Sequence, residues 1–295
     1  MPLEPIGVLM DAAQRGGYAV GYFESWSIDS LQGVLDAAEQ VRAPVIIGFN
    51  GEFLSHPGRQ AAERLSWYAA LGLAAARTAS VPCGLIFNEC PNDDWLRHAA
   101  RSGFNLIMPA DPAAPYGEYE RRVRELTAEA HRGGAAVEAE IGILPCGAAG
   151  AAAAAGAMTD PATAARFVAA TGIDLLAVSV GNVHIKLDGS AGLNLERLAE
   201  IHRRVSVPLV LHGGTGIAPA ALRDALKLGV RKVNYGTYLK QRYLAAVGAG
   251  LGRGVQNPHE LLGLGGPHDL MVAGRRAVRD AVLERIDLLG CCGRA

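Results

Sequence analysis

The feature that most constrains this chain is a short continuous apolar run followed by a longer amphipathic segment, repeated eight times with turn signals between. The apolar runs fall at residues 18–23, 44–49, 83–89, 106–108, 136–141, 175–180, 208–212 and 232–234. They are unbroken rather than alternating, as parallel strands buried on both faces require. Amphipathic stretches follow at 28–41, 59–77, 93–101, 118–131, 161–170, 195–204, 219–228 and 239–247. Eight strands alternating with eight helices predict an α/β fold, a closed (β/α)8 TIM barrel. An extra C-terminal helix is expected over 270–289, covering the barrel or meeting a second subunit. An open doubly wound sheet is the alternative, but no switch point in strand order can be located. A chain of 295 residues would ordinarily suggest about two domains, yet single α/β barrels of about 250 residues are common. The expectation is therefore one domain over residues 1–295.

Local signals agree with this alternation. Ser27 stands where an N-cap belongs, and Asp160-Pro161 gives an N-cap followed by proline at the first helical position. Thr171-Gly172 and Leu228-Gly229 read as helix stops. Glycine, at 37 residues, exceeds its usual share of about 7%. Part of the excess lies in an Ala/Gly segment at 147–158, after Cys146 and the fifth strand, which is expected to be a mobile lid or a partly ordered helix.

Composition excludes several function classes. Half the residues are hydrophobic, 19% are charged and the net charge is -1. Disorder needs more charge, and nucleic-acid or membrane-surface binding needs a basic excess. No uninterrupted apolar stretch reaches the roughly 18 residues of a membrane span. The first residues carry acids and no basic segment before an apolar one, so no secretory signal is expected. The five cysteines, Cys83, Cys90, Cys146, Cys291 and Cys292, lack framework spacing, which suits a reduced, cytoplasmic chain.

In such barrels the polar residues at strand C-termini form the active site. Here they are Glu24, Asn50, Asn88-Glu89, Glu138 and Glu140, Asn182-Val183-His184, His212 and Asn234. His184 and His212 end successive strands with carboxylates nearby, which matches a zinc site that keeps one position open. The other six histidines fall on helices or loops and read as solvated residues. The turn His212-Gly213-Gly214-Thr215-Gly216 precedes a helix, so its amides and the helix dipole can hold an anion. Asn234-Tyr235-Gly236-Thr237 adds amides and a hydroxyl from the next strand.

Several motifs in order resemble the class II, metal-dependent ketose-bisphosphate aldolases: residues 207–217, residues 228–234, Tyr18-Ala19-Val20-Gly21, residues 137–142, Gly181-Asn182-Val183-His184 and Asp287-Leu288-Leu289-Gly290. The resemblance implies a zinc (or other divalent metal) site that polarises a ketone, with His184 and His212 as ligands. It places Glu140 as a nearby metal-coordinating glutamate. Gly213, Gly214, Thr215, Asn234, Tyr235, Gly236 and Thr237 become phosphate contacts, and Asn234 also an enediolate contact. It further implies a homodimer or homotetramer. Strand three departs: where the family reads approximately Leu-His-Leu-Asp-His-Gly, this chain has Leu85-Ile86-Phe87-Asn88-Glu89-Cys90. The catalytic aspartate becomes Asn88, which cannot shuttle a proton, and the first histidine ligand becomes Glu89, which can still bind zinc. Ile185 replaces a glycine beside the phosphate, with Lys186 as a replacement contact. Ala110 takes the place of an acid with Asp111 adjacent, Tyr238 stands where an acid is usual, and Glu24 replaces an asparagine.

The leading expectation is a divergent zinc-dependent aldolase or lyase acting on a small phosphorylated carbonyl compound. Glu89, His184 and His212 would hold the metal, and Glu140 or Glu24 would serve as base. Isomerisation, epimerisation or cyclisation through a similar enediolate stays open. So does a non-catalytic barrel that binds a metabolite.

Overall fold

The computed structural model describes residues 3–142, 144, 156–183 and 192–295. Eight parallel strands close in sequential order: β1 (Val20–Glu24), β2 (Val45–Asn50), β3 (Cys83–Cys90), β4 (Leu106–Pro109), β5 (Ala136–Ile141), β6 (Leu175–Val178), β7 (Leu209–Leu211) and β8 (Val230–Tyr235). The ring is completed by β1 beside β8, with Tyr22 paired to Asn234. The expected barrel is the observed one. Nearly every strand residue is buried, because the inner face fills the barrel and the outer face meets helices.

The helices are α1 (Ile6–Gly16), α2 (Ile28–Gln40), α3 (Gly51–Ser55), α4 (Leu65–Thr78), α5 (Asp93–Arg101), α6 (Tyr116–Arg132), α7 (Pro161–Thr171), α8 (Leu195–His202), α9 (Pro219–Lys227), α10 (Thr237–Leu251), α11 (Pro258–Leu261) and α12 (Leu270–Leu289). Caps fix several starts. Ser27 and Ser30 form a reciprocal capping box, and Asp160 accepts from the Thr163 amide at 2.7 Å ahead of Pro161. Gly172 ends α7 at φ 68°, a left-handed turn that glycine enters without strain.

Two expectations need correction. The stretch 59–77 becomes helical only from Leu65, because Arg59 is taken up by the Phe53 and Ala61 carbonyls and by Glu63 in a turn. The sequence reading also omitted α1, whose buried stripe of Ile6, Leu9, Met10 and Ala13 joins the core ahead of β1. The predicted C-terminal helix is α12 to the residue. It packs on α2 and α10, its Arg275 clamps Asp36 at 2.5 and 2.6 Å, and its Leu289 carbonyl receives the Ala19 amide at the entry to β1. It therefore belongs to the barrel wall. The Ala/Gly segment lies largely outside the described residues, and Cys146 wholly so. Cys83, Cys90, Cys291 and Cys292 are free thiols. No helix among the described residues is long and apolar enough to cross a membrane.

Candidate active site

A regular strand turns successive side chains to opposite faces. On β8 that alternation sends Lys232 and Asn234 into the barrel, while the Tyr235 ring stacks on Phe23 outside it, centroids 5.4 Å apart. On β5 it sends Glu138 inward two residues before Glu140. Strand β3 breaks the rule. Its pairing with β4 shifts between Phe87 and Cys90, and Glu89 adopts φ 51°, a left-handed backbone costly for a residue with a Cβ. The bulge lets Asn88 and its immediate neighbour Glu89 both line the same cavity.

The polar chain in the barrel centre starts at Lys232, which is fully buried. Its ammonium lies 2.8 Å from Glu138 Oε2 and donates to Asn234 Oδ1 at 2.5 Å. Glu138 Oε1 is 2.9 Å from His212 Nε2. On its other side His212 Nδ1 faces Glu89 Oε1 at 3.1 Å and Glu140 Oε2 at 3.7 Å, and Asn50 donates to Glu89 Oε2 at 2.7 Å. Burial alone would lower the His212 pKa, but the carboxylates of Glu140, Glu138 and Glu89 outweigh it and raise it to about 10. Burial works against the Glu138 charge too, and Lys232 and His212 reverse that, holding its carboxyl below the usual range. Without a metal the imidazole is therefore protonated, and three carboxylates face two cations. A divalent cation bound here would displace the ring proton and take its place among the carboxylates.

His212 Nδ1, with no hydrogen bond of its own and two carboxylates before it, is the atom such a cation would take. Among the described residues no three such donors are arranged as a complete metal site. The third expected ligand, His184, and the expected phosphate contact Lys186 lie outside the described residues.

Two adjoining cavities open on this floor and share Glu89. The first, about 210 Å³, is bounded by Tyr22, Glu24, Asn88, His212, Asn234 and the backbone of Gly213, Thr215, Gly236 and Thr237. Gly213 takes φ 65° to start the turn, and Gly214 is buried where a Cβ would strike the Tyr235 ring. Tyr235 thus supports the turn with its ring. Gly236, the N-cap of α10, has no side chain to cap the helix, and the Tyr238 amide donates to Thr215 Oγ1 at 3.3 Å, so the Thr237 amide at the first helical position is the one that would meet an anion. Lys240, one turn into α10, pairs with Glu24 at 2.6 Å, and a Cβ at Gly236 would collide with that same carboxylate. Glu24 is therefore a partner of the anion turn, away from the floor. Tyr238 turns outward to Glu284 on α12. The second cavity, about 320 Å³, lies over β3–β5 and is lined by Glu52, Glu89, Asp111, Glu140, Tyr116 and Tyr119 among others.

Sequence reasoning named Asn88, Glu89, Glu140, His212 and Asn234, and the structure gathers them. It counted Glu138 among the strand-end residues without a specific role, and gave none to Tyr22, Lys232 or Lys240. The available signal was a lysine inside a strand, two residues before an inward asparagine.

A parallel barrel whose C-terminal rim sets acids and a histidine beside a glycine-rich turn has the form of an aldolase-type barrel lyase. The model of the family described as fructose-bisphosphate aldolase class-II matches residues 5–294, and the chain belongs to that family. Among solved structures it is similar to the YdjI aldolase from Escherichia coli K12, with 31% identity, a TM-score of 0.83 and 99% of each chain covered. A Coccidioides immitis protein provisionally assigned as a fructose-1,6-biphosphate aldolase matches at 26% identity and TM-score 0.83, over 98% of this chain and 97% of that one. Fructose-bisphosphate aldolase from Campylobacter jejuni shares the fold at 20% identity and TM-score 0.74, over 98% and 95% of the two chains.

Proposed function

We propose that this chain is a metal-dependent lyase that breaks, and in reverse forms, the bond between the carbons α and β to the carbonyl of a ketose carrying a single phosphate. The observation that carries the reading is the convergence of Glu89, Glu140 and His212 on one buried point beside the glycine turn. A divalent cation, zinc by resemblance to the family, would be held by Glu89 and His212 with His184 and would supply Lewis-acid polarisation of the ketone oxygen.

The chain's own groups divide the remaining work. Glu138 fixes the His212 ring through Nε2 and so keeps Nδ1 toward the site, while Lys232 balances the Glu138 charge. Asn88 cannot take a proton, and Glu24 is occupied at the anion turn, so Glu140 is the base. It removes the proton from the hydroxyl whose carbon departs as an aldehyde, then returns it to the carbon left behind. A positioned base of this kind contributes about 10²–10⁴ in rate. The amides of Gly213, Thr215, Gly236 and Thr237, with Lys240, receive the phosphate; Lys186 is a further proposed contact. Lys232 takes Asn234 Oδ1, which leaves Nδ2 to donate to the substrate.

The rest of the ketose enters the cavity over β3–β5. Among its described lining residues there is no Lys, Arg or His, while Glu52, Glu89, Asp111 and Glu140 contribute four carboxylates. Neutral hydroxyl groups suit that lining and a second phosphate is repelled.

The test is metal analysis of the purified protein, followed by assay of ketose 1-phosphates before and after chelation. Stoichiometric divalent metal and aldehyde release that disappears on stripping are expected. A protein that neither holds metal nor cleaves any ketose phosphate overturns the reading. Exchange of substrate protons with solvent, without cleavage, would favour isomerisation or epimerisation through the same enediolate.

A further inference from the structure

Tyr22 is the largest side chain in the middle of this barrel with no assigned work. It is 2% exposed and lines the smaller cavity with Asn88, Glu89, His212 and Asn234, yet its hydroxyl makes no hydrogen bond. A phenol sealed at a polar floor without a partner loses its water and gains nothing unless a ligand completes it. Its place in the sheet says which part of a ligand that is. Tyr22 on β1 is the register partner of Asn234 on β8, so the two side chains project inward side by side at one level.

Beside His212 Nδ1, the buried polar atoms without hydrogen bonds on residues lining this cavity include Tyr22 Oη, Asn234 Nδ2 and Asn88 Oδ1. Of these last three, two can donate and one accepts. That set complements one oxyanion beside one hydroxyl, the oxygen pattern of an enediolate. The Lys232 ammonium stands over the Tyr22 ring, 5.2 Å from its centroid, and helps fix the ring in place. Burial, with the charges of Glu24, Glu89 and Glu138, keeps the phenol protonated and so able to donate.

Resting on the proposed lyase reading, the geometry points to Tyr22 as a further catalytic residue, an electrophilic hydrogen-bond donor to the oxygen on which negative charge develops as the carbon–carbon bond breaks. When that bond cleaves, its electron pair passes toward the former ketone oxygen and the hydroxyl proton goes to Glu140. The Tyr22 O–H stays intact and its hydrogen bond strengthens as the charge grows. When the proton returns from Glu140 to carbon, the charge is discharged and the bond weakens again. Such a donor acts on the transition state and hardly on the ground state.

The experiment is Tyr22→Phe, which removes only the oxygen. A hydroxyl with no partner in the resting protein predicts an unchanged or raised Tm. Loss of one donor of this kind predicts kcat lower by about 10²–10³ with KM within about threefold. Binding is measured in parallel by calorimetry on the metal-loaded protein, with 2-phosphoglycolate as a planar anionic mimic and dihydroxyacetone phosphate as the neutral ketone. The variant should lose tenfold or more for the mimic and less than threefold for the ketone. Equal losses for both probes, or an unchanged affinity for the mimic, overturn the assignment even if no turnover is found. A wild-type protein that binds neither probe removes the phosphate-binding reading first, and this proposal with it. A lower Tm in Tyr22→Phe would show that the hydroxyl supports the fold, and would also overturn it.

Discussion

The two sides of the barrel mouth are built from opposite materials. On the β7–β8–β1 side, backbone amides, hydroxyls and Lys240 surround the smaller cavity, and its one peripheral acid, Glu24, is already paired with that lysine. On the β3–β5 side, four carboxylates line the larger cavity and its described lining holds no Lys, Arg or His. Glu89 belongs to both. The difference implies a polarised substrate, anionic at one end and merely hydroxylated at the other, lying across the acid–histidine floor.

The contrast breaks most completely if the floor fails. Lys232→Met leaves Glu138 charged and fully buried without its counter-charge, and should lower stability by about 3–5 kcal/mol, read from chemical denaturation. Glu138→Gln added to that variant should recover most of the loss. Recovery would show that the pair, and not the lysine's bulk, sets the effect.

Chemistry on the acidic side is tested by Glu140→Gln, with kcat expected to fall by about 10²–10⁴ while dihydroxyacetone phosphate binding is retained. Steady-state rates with calorimetry separate the two. Should Glu24→Gln show the larger kcat loss instead, the base has been placed on the wrong side.

A smaller effect is expected at the anion turn. Lys240→Met should raise KM for phosphorylated substrates by about 10–100-fold, since a charge-assisted hydrogen bond is lost and Glu24 is left facing the phosphate. Glu24→Gln in that background should restore part of it. The smallest change is Glu52→Lys, which puts a cation on the exposed rim of the acidic side. It should improve the relative use of a bisphosphate by only about fivefold, because the site is solvated.

Much of this was legible in the sequence. Eight largely apolar runs alternating with amphipathic stretches point to parallel strands buried on both faces, and strand-end polar residues locate the rim. The bounds of α5, β5 and α12 follow from sharp capping and periodicity signals. The bulge at Glu89 was not legible. Strict alternation allows one of Asn88 and Glu89 inward, and only the register shift against β4 brings in both. Tyr22 and Lys232 were hidden for a related reason. Inside a continuous apolar run a phenol reads as core and a lysine as a strand end, and their roles emerge only when closure sets β1 beside β8. The turn before α4 was missed because its charged residues mimic a helix face while their side chains satisfy carbonyls of the loop.

The most direct test of the polarised mouth is a matched substrate pair, one ketose as its 1-phosphate and as its 1,ω-bisphosphate, cleaved by zinc-loaded protein. The account predicts that kcat/KM favours the monophosphate by tenfold or more, with the difference shrinking at high salt as screened repulsion does. A preference for the bisphosphate would contradict it, and would mean that the acidic cavity does not receive the far end of the substrate.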